Sequence, residues 1–256
     1  MRIRLATTGL GVFAALAIGL AGCGDAAVPG VTSTPSAGAS GASASPPSAA
    51  TAELTAAAQK LNDDTVKVTL ASKTVRSTAN LDPKADKASM TVMLGGGSTV
   101  DLRAIGQDAW LQATGVPGIE AGKWLHVDGA SLAGTTFDPL PDGDAAGAGK
   151  FVERMADVTT SGDGTYRGTI DLTKVAGSGV SVDLTGGKGD AVPFTATVDD
   201  QGRLSSLTID LTAIDPNLGS IETTYSDFGA TVAVSPPPAA DVVEAPASLL
   251  DSLGVR

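Results

Sequence analysis

The chain has 256 residues, a formal net charge of −11 and only 4% aromatic side chains. An acidic surface repels phosphate backbones and anionic headgroups, so it excludes nucleic acid as a natural partner and a basic patch as the means of membrane attachment. The length leaves room for one domain of roughly 200 residues with a real core once the N-terminal signal and a low-complexity segment are set aside.

Residues 1–22, "MRIRLATTGLGVFAALAIGLAG", read as a secretory signal. Arg2 and Arg4 supply the positive start, Leu5 to Leu20 the apolar stretch, and Ala21 and Gly22 the small residues of a cleavage site. The stretch is short of the roughly 20 apolar residues of a membrane span. "LAGC", Leu20 to Cys23, resembles a bacterial lipobox. That resemblance implies a diacylglyceryl thioether on Cys23 and a mature chain held at the extracytoplasmic face of the cell membrane. A thiol is needed there because the thiolate is the attacking nucleophile. Two acyl chains, at about 0.8 kcal/mol per buried methylene, make a durable anchor. The alternative is an ordinary signal with an incidental cysteine.

Residues 23–50 are Ala-, Ser-, Gly-, Thr- and Pro-rich without periodicity, a composition that cannot offset its ordering entropy. They read as a spacer, and a coil of that length separates its ends by about 25–30 Å. The folded domain is expected over 51–245. It opens with a helix over "TAELTAAAQKLND", with Thr51 as N-cap and Leu54, Ala57, Ala58 and Leu61 on one face. The period then becomes two. "TVKVTLAS" puts Val66, Val68 and Leu70 on one side, "SMTVML" adds Met90, Val92 and Leu94, and "STVDLRAI" adds Val100 and Leu102. Strands with Trp110, then with Trp124 and His126, follow. "LDPKAD", "LGGGS" and "GVPGIEAG" are turn material. After a Pro- and Gly-rich break over 130–149, "GKFVERMADV" predicts a short helix carrying Phe151, Val152 and Met155. Strands resume with Tyr166, Gly168 and Ile170, with Phe194, and, after the turn "DDQG", with Leu207 and Ile209. A final strand precedes the prolines at 236–238, and 246–256 form a tail or a short helix. The bottom-up reading is an α+β domain built on an antiparallel meander with one apolar face.

Catalytic chemistry finds little support. His126 is the single histidine, and Cys23 is consumed by the anchor, so a His/Cys zinc site and a Cys-His pair are excluded by count. There is no G-x-S-x-G elbow and no phosphate-binding loop with its lysine. "DGDAAGAGKFVE", Asp142 to Glu153, matches part of a calcium-loop spacing, but Ala146 and Lys150 occupy ligand positions, and a polar loop capping a helix is the better reading. Asp63–Asp64 and Asp199–Asp200 fall where Asp caps turns. No catalytic residue, metal or cofactor is expected.

The lipobox, the spacer, the helix "AELTAAAQKLND", the meander, the hairpin "FTATVDDQGRLSSLTIDL" and the closing "YSDFGATVAVSPPPAADVVE" together resemble the actinobacterial LppX/LprG-type lipoproteins, of LolA-like fold. The resemblance implies a large antiparallel sheet curved into a half-open barrel, with a few helices on its concave side. It also implies an apolar cavity that shelters the acyl chains of a lipid or glycolipid, for binding or transport in the cell envelope. The candidate lining residues are Val66, Val68, Leu70, Met90, Val92, Leu94, Val100, Leu102, Phe194, Leu207 and Ile209, and the alternative for each is packed core. The competing reading of the whole is a non-enzymatic module that binds an envelope protein through its sheet edge or acidic face.

Overall fold

The computed structural model describes residues 48–115, 120–133, 137–140, 143–174 and 189–246. The described residues all belong to one compact unit. The signal, Cys23, most of the spacer and nearly all of the C-terminal tail lie outside the described residues.

Helix α1 runs Ala49–Gln59, two residues ahead of the expected start. Its N-cap is Ser48, not Thr51: the Ser48 hydroxyl accepts from Thr51 N–H at 3.1 Å, leaving Thr51 inside the first turn. Leu54, Ala57, Ala58 and, just beyond the helix, Leu61 are buried, as their spacing predicts.

Twelve strands follow among the described residues: β1 (Val66–Ala71), β2 (Val75–Asp82), β3 (Lys87–Leu94), β4 (Thr99–Ile105), β5 (Asp108–Thr114), β6 (Trp124–Asp128), β7 (Met155–Gly162), β8 (Thr165–Ile170), β9 (Val192–Val198), β10 (Leu204–Asp210), β11 (Ser220–Ser226) and β12 (Val242–Glu244). Helix α2 (Ala148–Val152) precedes β7. All twelve strands form one sheet in the order β12-β6-β5-β4-β3-β2-β1-β11-β10-β9-β8-β7. The ends, β12 and β7, are not paired with one another, so the sheet is not closed. The α+β class holds, with one departure from a purely antiparallel sheet: β12 lies parallel to β6. Three strands depart from the sequence reading. β2 occupies a stretch passed over there, β7 begins at Met155 where the helix was expected to continue, and β12 follows the prolines.

Two long connections give the sheet its two different faces. The segment from β6 to α2 joins opposite ends of the sheet, and its Leu132, Ala145, Ala148 and Val152 enter the same core as the buried side of α1. The connection from β11 to β12 instead crosses the other face. There Thr65 Oγ1 donates to Ala230 O at 2.6 Å, Arg103 Nη1 to Ser235 O at 3.1 Å and Lys123 Nζ to Ala240 O at 3.0 Å.

Candidate functional site

Strand register decides which side chains share the apolar face. One row across the sheet runs Tyr225–Val68–Ala79–Met90–Leu102–Leu111–Leu125. The neighbouring row runs Ala196–Leu207–Thr223–Leu70–Ser77–Val92–Val100–Ala113. Val66 pairs with Leu81, Leu94 with Val75, and Phe194 with Ile209, all on this same face. Every lining residue named from the sequence therefore points to one side. All except Leu70 and Leu94 are buried members of one hydrophobic core; Leu70 is half-buried, and Leu94, at the β3–β4 turn, is 37% exposed.

What covers this face is tied down by a small set of polar contacts. Tyr166 OH donates to Glu53 Oε2 of α1 at 2.9 Å. Lys60 Nζ reaches Gln201 O at 2.9 Å, and Ala145 N–H donates to Asn62 Oδ1 at 2.7 Å. Burial, and then the hydrogen bond and charge of Glu53, hold the Tyr166 hydroxyl above its ordinary pKa. In the loop with partial calcium spacing, Asp142 lies outside the described residues. Asp144 acts as a local cap, its Oδ2 accepting from the N–H groups of Gly149 and Lys150 at 2.9 and 3.2 Å. Its Oδ1 is buried without a hydrogen-bond partner. Burial first, and then the Asp144 charge, push the Tyr225 hydroxyl strongly upward. Among the described residues, no group of three or more His, Cys, Asp and Glu is placed to hold a metal, and no helix is long and apolar enough to cross a membrane.

The opposite face is polar, and two clefts open on it, of about 370 and 360 Å³. The first lies between Lys67 of β1 and the segment Asp227–Val232. The second lies over β2 to β5 and ends at Trp124. Composition alone gave no sign of either, because their walls come from cross-strand register and from the returning C-terminal segment. Both tryptophans, Trp110 and Trp124, lie on this face and are 8% exposed. Arg103 covers Trp124, its Cζ 4.4 Å from the ring centroid.

His126 also lies on this polar face, half-buried. Its Nε2 is 2.9 Å from Asp108 Oδ1 of β5, and its Nδ1 is 3.1 Å from Glu244 Oε1 of β12. The Asp108 hydrogen bond raises its pKa above 6.5; burial opposes, and the Glu244 hydrogen bond and both charges add to the rise. A neutral imidazole has one N–H and serves one carboxylate, so the doubly bonded arrangement is that of the imidazolium. This is a clasp between three strands.

Neither any family model nor any curated protein matches the chain. Among solved structures it is similar to the crystal structure of the Mycobacterium tuberculosis lipoprotein LppX, at 17% identity and a TM-score of 0.48 over 73% of this chain and 98% of that one. A weaker likeness is to the hypothetical protein CT021 from Chlamydia trachomatis, at 8% identity and a TM-score of 0.31, covering 68% of this chain and 92% of that one.

Proposed function

We propose that this is a lipid-anchored cell-envelope protein that shelters the hydrocarbon tails of a lipid or glycolipid on its apolar sheet face and hands the guest on. The observation that carries this reading is the mismatch between that face and its helices. Apolar side chains extend over β1 to β11, whereas α1 has 11 residues and α2 has 5. Much of the cover is loop. In the 129–147 segment, Gly143 and Gly147 hold left-handed backbone that L side chains rarely adopt. The described part of the segment places Leu132 and Ala145 in the core, but it lacks the ladder bonds of the strands, and such segments open at lower cost than core strands.

In the closed form the lining residues pack as core. A guest enters by displacing loop from sheet, and its tails then occupy the surface the loop leaves. Buried apolar area, at roughly 25 cal/mol per Å², is exchanged and little is lost, so loading needs no chemical step. Cys23, acylated, supplies the membrane attachment, and the residues between it and Ser48, the N-cap of α1, supply the reach. The competing module reading, with an envelope protein as partner, finds its best surface in exposed Met93 and Leu94 at one hairpin tip. It finds a poor one at the β7 edge, where two register irregularities and the left-handed Asp157 discourage strand addition.

The test is mass spectrometry of organic extracts from the chain expressed with and without residues 1–22, together with titration of a fluorescent acyl probe. Co-purifying lipid and saturable probe binding are expected. Absence of both overturns the reading.

A further inference from the structure

The polar face carries a recognition surface that sheltering acyl chains does not use. Thr91, Asp101 and Gln112 stand on one row across β3, β4 and β5, and Asn80, Ser89 and Arg103 on the next row across β2, β3 and β4. They floor the 360 Å³ cleft, which forms the groove; Asn80 also lines the neighbouring 370 Å³ cleft beside the segment Asp227–Val232. Each cleft falls near the lower end of the range of about 300–1,000 Å³ for small-molecule sites.

The chemistry of the floor selects its ligand. Thr91 Oγ1 donates to Asp101 Oδ1 at 2.6 Å, Asn80 Nδ2 to Ser89 Oγ at 3.4 Å and Arg103 Nη1 to Ser235 O at 3.1 Å. These bonds fix the side chains and leave Asp101 Oδ2 and the whole Gln112 amide without a hydrogen-bond partner among the described residues. The one carboxylate and the one guanidinium sit two residues apart on β4. An anion in the groove meets Asp101 and a cation meets Arg103, so neither gains. A peptide strand has no edge here, because β2 to β5 are interior strands with both neighbours in place. A sugar hydroxyl both donates and accepts, so it satisfies carboxylate, amide and guanidinium together.

We propose that this groove binds a neutral carbohydrate of one to a few rings, with Asp101 and Gln112 as its principal hydrogen-bonding pair. The inference stands independently of the lipid reading, and its test leaves the acyl-probe assay untouched. Trp124 lines the groove, and Trp110, the chain's other tryptophan, lies on the same face, so intrinsic fluorescence responds to a ligand bound here. The full chain is purified in a phosphocholine detergent, which avoids sugar headgroups, and titrated with maltose, cellobiose and their longer oligomers. A saturable change is expected, weakened about tenfold or more in Asp101→Ala and Gln112→Ala and unchanged in Thr208→Ala, which sits on the same face over β10. Gln112 makes no side-chain hydrogen bond among the described residues, so its variant tests recognition without removing a bond they make. The proposal is overturned if no neutral sugar gives a saturable change, if Gln112→Ala binds as the parent does, or if inorganic phosphate displaces the sugar.

Discussion

His126 Nδ1 lies 3.1 Å from Glu244 Oε1, and this contact joins β6 to the three-residue strand that closes the sheet's parallel end. The adjacent Ala245 N–H donates to His126 O at 3.1 Å, so side chain and backbone hold the same place. Because the folded pKa is raised above 6.5, the clasp contributes fully below that value and is lost as pH rises through the folded pKa. Exchange protection of the Ala245 amide, taken relative to an interior β5 amide, should fall across that window. In Glu244→Gln the ratio should vary less with pH, and an NMR titration should place His126 lower than in the parent. An unchanged His126 titration in both Glu244→Gln and Asp108→Asn would refute the clasp.

Asp199 closes the β9–β10 hairpin. Its Oδ1 accepts from Gln201 and Arg203 N–H at 3.0 and 2.9 Å, and its Oδ2 from Arg203 Nε and Nη2 at 2.8 and 2.7 Å. Burial disfavours the Asp199 charge, but the Arg203 and Gln201 bonds outweigh it and hold the carboxyl below its ordinary value. The same guanidinium lies 3.9 Å from the Phe228 centroid, where the C-terminal segment begins its crossing. Arg203→Ala should cost about 1.5–3 kcal/mol, read as a lower urea midpoint. Arg203→Lys should recover only part, because an ammonium has neither the fork nor the flat stacking face. The Asp199 contribution is present above a carboxyl's ordinary pKa and is lost as pH falls through its lowered folded value.

Alternation was enough to assign faces wherever a strand is regular. Val66, Val68 and Leu70, or Met90, Val92 and Leu94, share a side because a strand's side chains repeat every two residues. β2 escaped the same reading because Ser77 and Ala79 stand at its apolar-face positions, so "VRSTANLD" reads as polar. β7 escaped because its irregularities put Met155 and Val158 inward three residues apart, a spacing closer to helix than to strand. The two clefts had no sequence signal, since Asn80, Asp101 and Gln112 come together only through pairing of β2 to β5.

Gly168 marks a close approach in the interior of the sheet. A methyl group there would sit 2.6 Å from Ala156 O and 2.8 Å from Phe194 Cε1. The first contact is backbone and cannot swing aside, so Gly168→Ala should destabilise by about 1–3 kcal/mol. In thermal melts the variant should lose several degrees, and Phe194→Ala in the same chain should recover little of it, because the clash with Ala156 O remains. A melt equal to the parent's would show that β7 yields at this point.

Tyr166 tests whether the cover of the apolar face moves. Its hydroxyl crosses from β8 to Glu53 of α1 at 2.9 Å, on the side where α1 meets the sheet. Tyr166→Phe keeps the ring and deletes only that bond, so the stability cost should be modest, about 0.5–1.5 kcal/mol. If α1 and the adjoining loop lift to admit a guest, the deleted bond was one restraint on lifting. Association of the acyl probe, followed by stopped flow, should then accelerate, while equilibrium binding shifts less. Glu53→Gln preserves an acceptor and should behave closer to the parent. A slower or unchanged association rate in Tyr166→Phe, with the stability loss present, would mean that guests enter elsewhere and that α1 is fixed roof.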